Sequence, residues 1–145
     1  MRMSRVKISL PEHFNFFTLI HIRITDLNYG SHVGNDSILS IMHEARMQYL
    51  QSFGYSELDI AGAGLIMSDA AIEFRAESFY GDVIKIYVAA ADFTSVSFNL
   101  YYKLEKETEG GNNKLLAVGK TGMVFFNYQA KKVIPIPEEV KGRLR

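Results

Sequence analysis

The sequence predicts a single α+β domain over residues 1–145, in which an antiparallel sheet of about five to six strands wraps around one long central helix. Three observations carry this expectation. One long stretch, Ser37 to Phe53, places apolar residues at helical spacing: Ile38, Ile41, Met42, Ala45, Tyr49 and Phe53. From Leu65 onward the chain reads as strands joined by short turns, an uninterrupted antiparallel meander. A hydrophobic content of 48% over 145 residues is enough to fill one core.

Residues 1 to about 13 show little periodicity and are expected to be a mobile lead-in. From Phe16 the pattern sharpens, and Ile20, Ile22 and Ile24 alternating with His21, Arg23 and Thr25 predict a half-buried strand. A polar loop, Asp26 to Asn35, leads into the helix. Asn35 is the expected cap, Asp36 places negative charge in the first turn, and Gly54 supplies the left-handed stop. Gly62-Ala63-Gly64 is a lone glycine pair, too weak a signal for a phosphate cradle. Strands are then expected over Leu65 to Phe74, continuing to Ser78, and over Val83 to Ala90, with a turn at Tyr80-Gly81-Asp82 and a bend at Asp92. Val96 to Leu104 has the clearest two-residue period in the chain. Leu115 to Tyr128 follows, with Gly119 and Gly122 marking a bend or a close approach of backbone. Val133-Ile134 should pair briefly, and Pro137 should open a short helix through Lys141.

Composition excludes several classes. Sixteen basic and sixteen acidic residues leave no net charge, so the footprint of a general nucleic-acid binder is missing. With no cysteine there is no disulfide, thiolate metal site or cysteine nucleophile, which fits a reducing compartment. No uncharged apolar run approaches membrane-spanning length, and no signal-type apolar region precedes Pro11. A cytoplasmic protein without membrane or nucleic-acid partners is expected. Asn35-Asp36-Ser37 matches a glycosylation sequon, but its place at a helix start favours capping.

Most catalytic signatures are absent. His43-Glu44 begins like a zinc-protease helix, yet position 47 is Met rather than the second His. The histidines at 13, 21, 32 and 43 lack ligand spacing, so no metal is expected. No G-x-S-x-G elbow occurs, and Ser31 directly before His32 is the wrong relation for a nucleophile and its base. What remains is the loop. A helix N-terminus carries unpaired N–H groups and about half a positive charge, so Asn, His and Asp packed against it suit the polarisation of a carbonyl.

The loop Asp26-Leu27-Asn28-Tyr29-Gly30-Ser31-His32-Val33-Gly34-Asn35, with Ile38, His43-Glu44-Ala45-Arg46 and Tyr49-Leu50 on the helix, resembles the hotdog-fold acyl thioesterases of the 4-hydroxybenzoyl-CoA thioesterase type. Ile72-Glu73-Phe74, Tyr80-Gly81-Asp82, Ala117 to Thr121 and Ile134-Pro135-Ile136-Pro137 extend the resemblance over about residues 16–143. It implies a hotdog fold, hydrolysis of an acyl-CoA or acyl-carrier-protein thioester, CoA as substrate rather than cofactor, and a homodimer or homotetramer with sites between subunits. Tyr101 beside Tyr102 is read as an exposed aromatic edge consistent with pairing.

One departure matters. Where many members of that family keep a second Asp as nucleophile or base, this chain has Asn28, whose amide holds a water or a carbonyl but accepts no proton near neutrality. The base is then sought elsewhere. His32 is the leading candidate because imidazole titrates near neutral pH, against the alternative that it only bonds loop carbonyls. Asp36 acts as base or only balances the helix terminus. Glu44, eight residues on and so about 12 Å down the axis, is a secondary candidate, and Arg46 is read as structural or interfacial. The catalytic candidates are thus Asn28, His32, Asp36 and Glu44, and the substrate-binding ones Asp26, Tyr29, Gly34 and Asn35. The hotdog hydratases, with D-x-N-P-[LIV]-H, supply the second reading: Asp26 and Asn28 fit, Tyr29 replaces Pro, and His32 arrives one residue late. The third is an acyl-binding protein without catalysis.

Overall fold

The computed structural model describes residues 5–145. Six strands form one antiparallel sheet: β1 (Phe16–His21), β2 (Gly64–Phe74), β3 (Val83–Ala91), β4 (Ser97–Glu107), β5 (Asn113–Asn127) and β6 (Lys132–Val133). The order across the sheet is β1-β3-β4-β5-β2, with β6 pairing the end of β5. Helix α1 (Asn35–Gln51) packs on the inner face, and α2 (Glu138–Leu144) closes one end. This is the expected α+β arrangement.

The alternation predicted for β4 holds: Phe98, Leu100, Tyr102 and Leu104 are buried, and the residues between them are half-buried. Tyr102 therefore belongs to the core, which corrects its reading as an exposed aromatic edge. Against this face α1 sets Ile38, Ile41, Met42, Ala45, Tyr49 and Leu50. Arg46 is buried with them, its Nε donating to Glu57 Oε1 at 2.6 Å and its guanidinium to Tyr102 Oη at 3.1 Å. Tyr102 and Thr121 complete the network at 2.8 Å. Burial works against the Arg46 charge, but the Tyr102 and Glu57 oxygens outweigh it and raise the pKa. Arg46 is thus a structural tie between helix, sheet and the 55–63 loop.

Helix α1 ends as a Schellman motif. The N–H of Tyr55 donates to the Leu50 carbonyl and that of Gly54 to Gln51, with Gly54 at φ +81°. At its other end the cap is Gly34, not Asn35, which is already the first helical residue. β1 stops at His21 rather than reaching Thr25, because Arg23 N–H bonds the Asp26 carboxylate and folds Ile24–Asp26 into a 3-10 turn; Ile24 is left exposed. β2 ends at Phe74, short of Ser78, because the N–H groups of Arg75 and Ala76 both turn to the Leu116 carbonyl. β6 pairs one residue earlier than expected, and Pro137 precedes α2 as its cap while the helix runs on to Leu144.

The N-terminal lead-in is a strap over the outer face, and residues 1–4 lie outside the described part. Ile8 N–H bonds the Glu73 carboxylate on β2, and the Phe14 ring meets Tyr87 of β3 at 5.8 Å before the chain enters β1.

Gly119 is the point of closest approach between helix and sheet. A Cβ there would stand 2.5 Å from Met42 Cε and 2.9 Å from its Sδ, and Met42 is fully buried. Gly119→Ala is expected to lose about 1–3 kcal/mol of stability by overpacking, read as a lower denaturant midpoint at constant slope. Combined with Met42→Ala, the total loss should be smaller than the sum of the two single losses, because the two sites share one volume. An unchanged midpoint for Gly119→Ala would contradict this contact.

Candidate active site

The loop between β1 and α1 is folded on itself before it meets the helix. Asn28 N–H donates to the His32 carbonyl at 2.8 Å, Ser31 N–H to the Asn28 carbonyl at 3.1 Å, and Gly30 N–H to Asn28 Oδ1 at 2.8 Å. This turn carries Ser31 at φ 66°, a left-handed conformation costly for a non-glycine residue. Its consequence is directional. The Asn28 carbonyl oxygen is occupied by the loop, so the amide Nδ2 is the group left to donate outward.

Two bonds then fix the loop to the rest of the fold. Val33 N–H donates to the Ser78 carbonyl at 2.8 Å, and Gly34 N–H to the Asp26 carbonyl at 3.1 Å. Asp26 is buried, with its carboxylate accepting from Arg23 N–H at 2.8 Å, so it supports the loop from below. Ser78 belongs to a turn held by Asp82, which accepts from Ser78 Oγ, Phe79 N–H and Lys106 Nζ, each at 2.9 Å. Burial pushes the Asp82 carboxyl up, but those three donors outweigh it and hold it below the usual range. The turn is a rigid platform beside the helix start.

Around the helix start the structure gathers most of the predicted residues. A Cβ on Gly30 would lie 3.3 Å from Asn28 Oδ1 and 3.4 Å from His32 Nε2, so amide and imidazole lie on either side of Gly30 and a side chain there would press on both. A Cβ on Gly34 would lie 2.6 Å from Asp36 Oδ1 and 3.5 Å from Asn28 Cβ, so Asp36 folds back towards the same spot. The first intrahelical bond is Ile38 N–H to Gly34 O, which leaves the N–H groups of Asn35, Asp36 and Ser37 without a protein acceptor among the described residues.

Beside these groups is a cavity of about 280 Å³ with His32 and Asn35 at its rim, Val33, Ile38 and Leu116 as apolar wall, and Glu77 opposite. His32 Nδ1 lies 3.2 Å from the Val33 carbonyl, which assigns its proton to Nδ1 in the neutral ring and leaves Nε2 as acceptor. Nε2 is 3.9 Å from Glu77 Oε1. Sequence reasoning missed Glu77. No local signal marks it, because its position depends on the bonds from Arg75 and Ala76 to Leu116, some forty residues on.

Three predicted residues lie elsewhere. Tyr29 is fully exposed. Glu44 accepts from Gln48 at 2.9 Å and lines a separate cleft of about 440 Å³ between β1 and α1, together with the predicted Asp26 and with His21, His43 and Met47. That cleft is the larger, but it holds neither the free helix amides nor His32. No cluster of three or more metal-type ligands occurs among the described residues.

Comparison with known proteins agrees with this architecture. The family model of the thioesterase-like superfamily matches residues 22–144. A 1,4-dihydroxy-2-naphthoyl-CoA hydrolase of Microcystis aeruginosa is 32% identical over 107 residues, 72% of this chain and 74% of that protein. Among solved structures, a 1,4-dihydroxy-2-naphthoyl-CoA thioesterase from Synechocystis superposes with a TM-score of 0.78 at 22% identity, covering 89% of this chain and 94% of the other. An aspartate-to-asparagine mutant of 4-hydroxybenzoyl-CoA thioesterase, complexed with 4-hydroxybenzoyl-CoA, superposes with a TM-score of 0.79 at 18% identity over 90% and 98% of the two chains. The fold is thus the hotdog fold of those enzymes, and, with the superfamily model spanning nearly all of the chain after β1, the protein belongs to the thioesterase-like superfamily.

Proposed function

We propose that the protein is an acyl-CoA thioesterase that hydrolyses its substrate at the N-terminus of α1. The observation that carries this reading is the cavity at the helix start, where the unpaired helix amides begin at Asn35 and the His32–Glu77 pair faces them, with Asn28 next to His32 across Gly30. The thioester carbonyl oxygen sits against the helix amides and Asn28 Nδ2, which stabilise the oxyanion as it forms. The 3.9 Å between His32 Nε2 and Glu77 Oε1 suits one water donating to both acceptors at ordinary hydrogen-bond lengths. As that water attacks, Nε2 takes its proton, and the carboxylate opposite stabilises the imidazolium. The tetrahedral intermediate then collapses, the C–S bond breaks, and the His32 imidazolium returns its Nε2 proton to the departing sulfur, giving free CoA and the acid and restoring the neutral ring. Asp36, one residue into the helix and exposed, balances the helix terminus in this scheme.

Acyl-CoA substrates are the activity named for the superfamily relatives above, and the apolar wall of Val33, Ile38 and Leu116 fits an acyl or aryl group of modest size. His32→Ala should lower turnover by at least about 10²-fold with the melting temperature retained, and Glu77→Gln by roughly tenfold. Release of free thiol from a panel of acyl-CoAs reads both. It also separates hydrolysis from hydration, which frees no thiol, and from binding, which consumes nothing. Turnover unaffected by His32→Ala would leave the ring a structural role only.

The same reading includes a homo-oligomer. Among the described residues β1 pairs only with β3 and β2 only with β5, so both edges of the sheet are open there, the usual route to pairing between chains. Light scattering on the active protein should give a dimer or tetramer. An active monomer at micromolar concentration would confine the site to one chain.

A further inference from the structure

A third cavity, about 750 Å³ and open to solvent, lies between residues 5–9 of the N-terminal strap and residues 72–75 at the end of β2. Its charges are unbalanced. Arg5, Lys7 and Arg75 line it against one carboxylate, Glu73, and that carboxylate is engaged: one oxygen accepts Ile8 N–H and the other bonds Arg75 at 2.9 Å. Arg5 and Lys7 have no carboxylate partner among the described residues, and both lie just ahead of Ile8, whose N–H ties the strap to Glu73 of β2.

This cavity adjoins the one at the helix start, since Phe74 and Arg75 line both. The separation is set by the chain. Ser78 is bonded to Val33 beside His32, and six residues back from it Ile72 lies in the strap cavity, a span of at most about 20 Å in extended chain. A pantetheine arm of about twelve bonds equals roughly four extended residues, or about 14 Å, before the phosphates are added. A thioester placed at the helix amides therefore sets the anionic end of CoA among Arg5, Lys7 and Arg75.

We propose that the strap is a phosphate subsite for the nucleotide end of CoA, with Arg5 and Lys7 meeting the 3′-phosphate and diphosphate oxygens. The inference rests on the thioesterase reading and selects CoA over a carrier protein, whose pantetheine ends on a single phosphodiester. A guanidinium and an ammonium on one strap match a multiply charged phosphate end better than one such group.

The test uses the full chain and the double variant Arg5→Gln/Lys7→Gln. With an acyl-CoA and the matching acyl-pantetheine as substrates, KM for the CoA thioester should rise roughly tenfold relative to that for acyl-pantetheine. The salt dependence of the CoA reaction should weaken with it. Equal effects on the two substrates would make the strap a structural element and overturn the proposal, as would no effect on either. Calorimetric titration with 3′,5′-ADP reads the subsite without any hydrolysis. Binding to the natural chain that is lost in the double variant supports the subsite even if no thioester is turned over, and absence of binding to the natural chain overturns it.

Discussion

The structure depends on how the loop is joined to α1. Val33 and Gly34 spend their N–H groups on the carbonyls of Ser78 and Asp26, one contact to the turn before β3 and one back to the end of the β1 segment. The helix is thereby held by its entry residues rather than by a side-chain cap, and among the described residues no side-chain oxygen bonds the first-turn amides. A side-chain cap in place of Gly34 would be worth only about a few tenths of a kcal/mol at this end. Forgoing the cap leaves three aligned donors and the positive end of the helix dipole facing a cavity of small-molecule size. The cost is met by Arg46 and the Schellman terminus, which secure the helix elsewhere.

Function follows from what the loop then places beside those donors. A carboxylate in place of Asn28 would bring negative charge towards the point where an oxyanion forms. The amide, with its oxygen bonded to Gly30 N–H, presents a donor instead. In the proposed mechanism base and oxyanion stabiliser are therefore separate groups: His32 with Glu77 on one side, Asn28 and the helix amides on the other. Two glycines make this spacing achievable, since any side chain at residue 30 or 34 would press on Asn28, His32 or Asp36.

Much of the fold was legible because its signals are local. Helical period over Ser37 to Phe53, two-residue period over Ser97 to Leu104, and Gly54 at positive φ are all short-range features that the structure repeats. The errors fall at boundaries where a distant partner decides. Asn35 looks like a cap until Gly34 is fixed by Asp26 and Ser78; β1 looks longer until Asp26 draws Arg23 into a turn; Tyr102 looks exposed until Arg46 and Thr121 are seen to satisfy its hydroxyl. The site divides in the same way. Asn28, His32 and Asp36 stand out as candidates in the sequence because one loop and the helix start it enters carry them. Glu77 does not, because its place depends on β5, and neither does the strap, because Arg5 and Lys7 acquire meaning only beside Arg75.

The central claim is that Asn28 works as a donor to the reacting carbonyl, and Asn28→Asp tests it most directly. The exchange is nearly isosteric, so the turn closed by Gly30 N–H should survive, while the outward donor becomes an anionic acceptor. Steady-state hydrolysis of an acyl-CoA panel by the natural chain and the variant is the measurement. The account predicts a fall in kcat of about 10²-fold or more, the range for removing one oxyanion donor. A rise with any substrate would show instead that Asn28 stands where a base was lost, and would contradict the assignment of His32 and Glu77 to water activation.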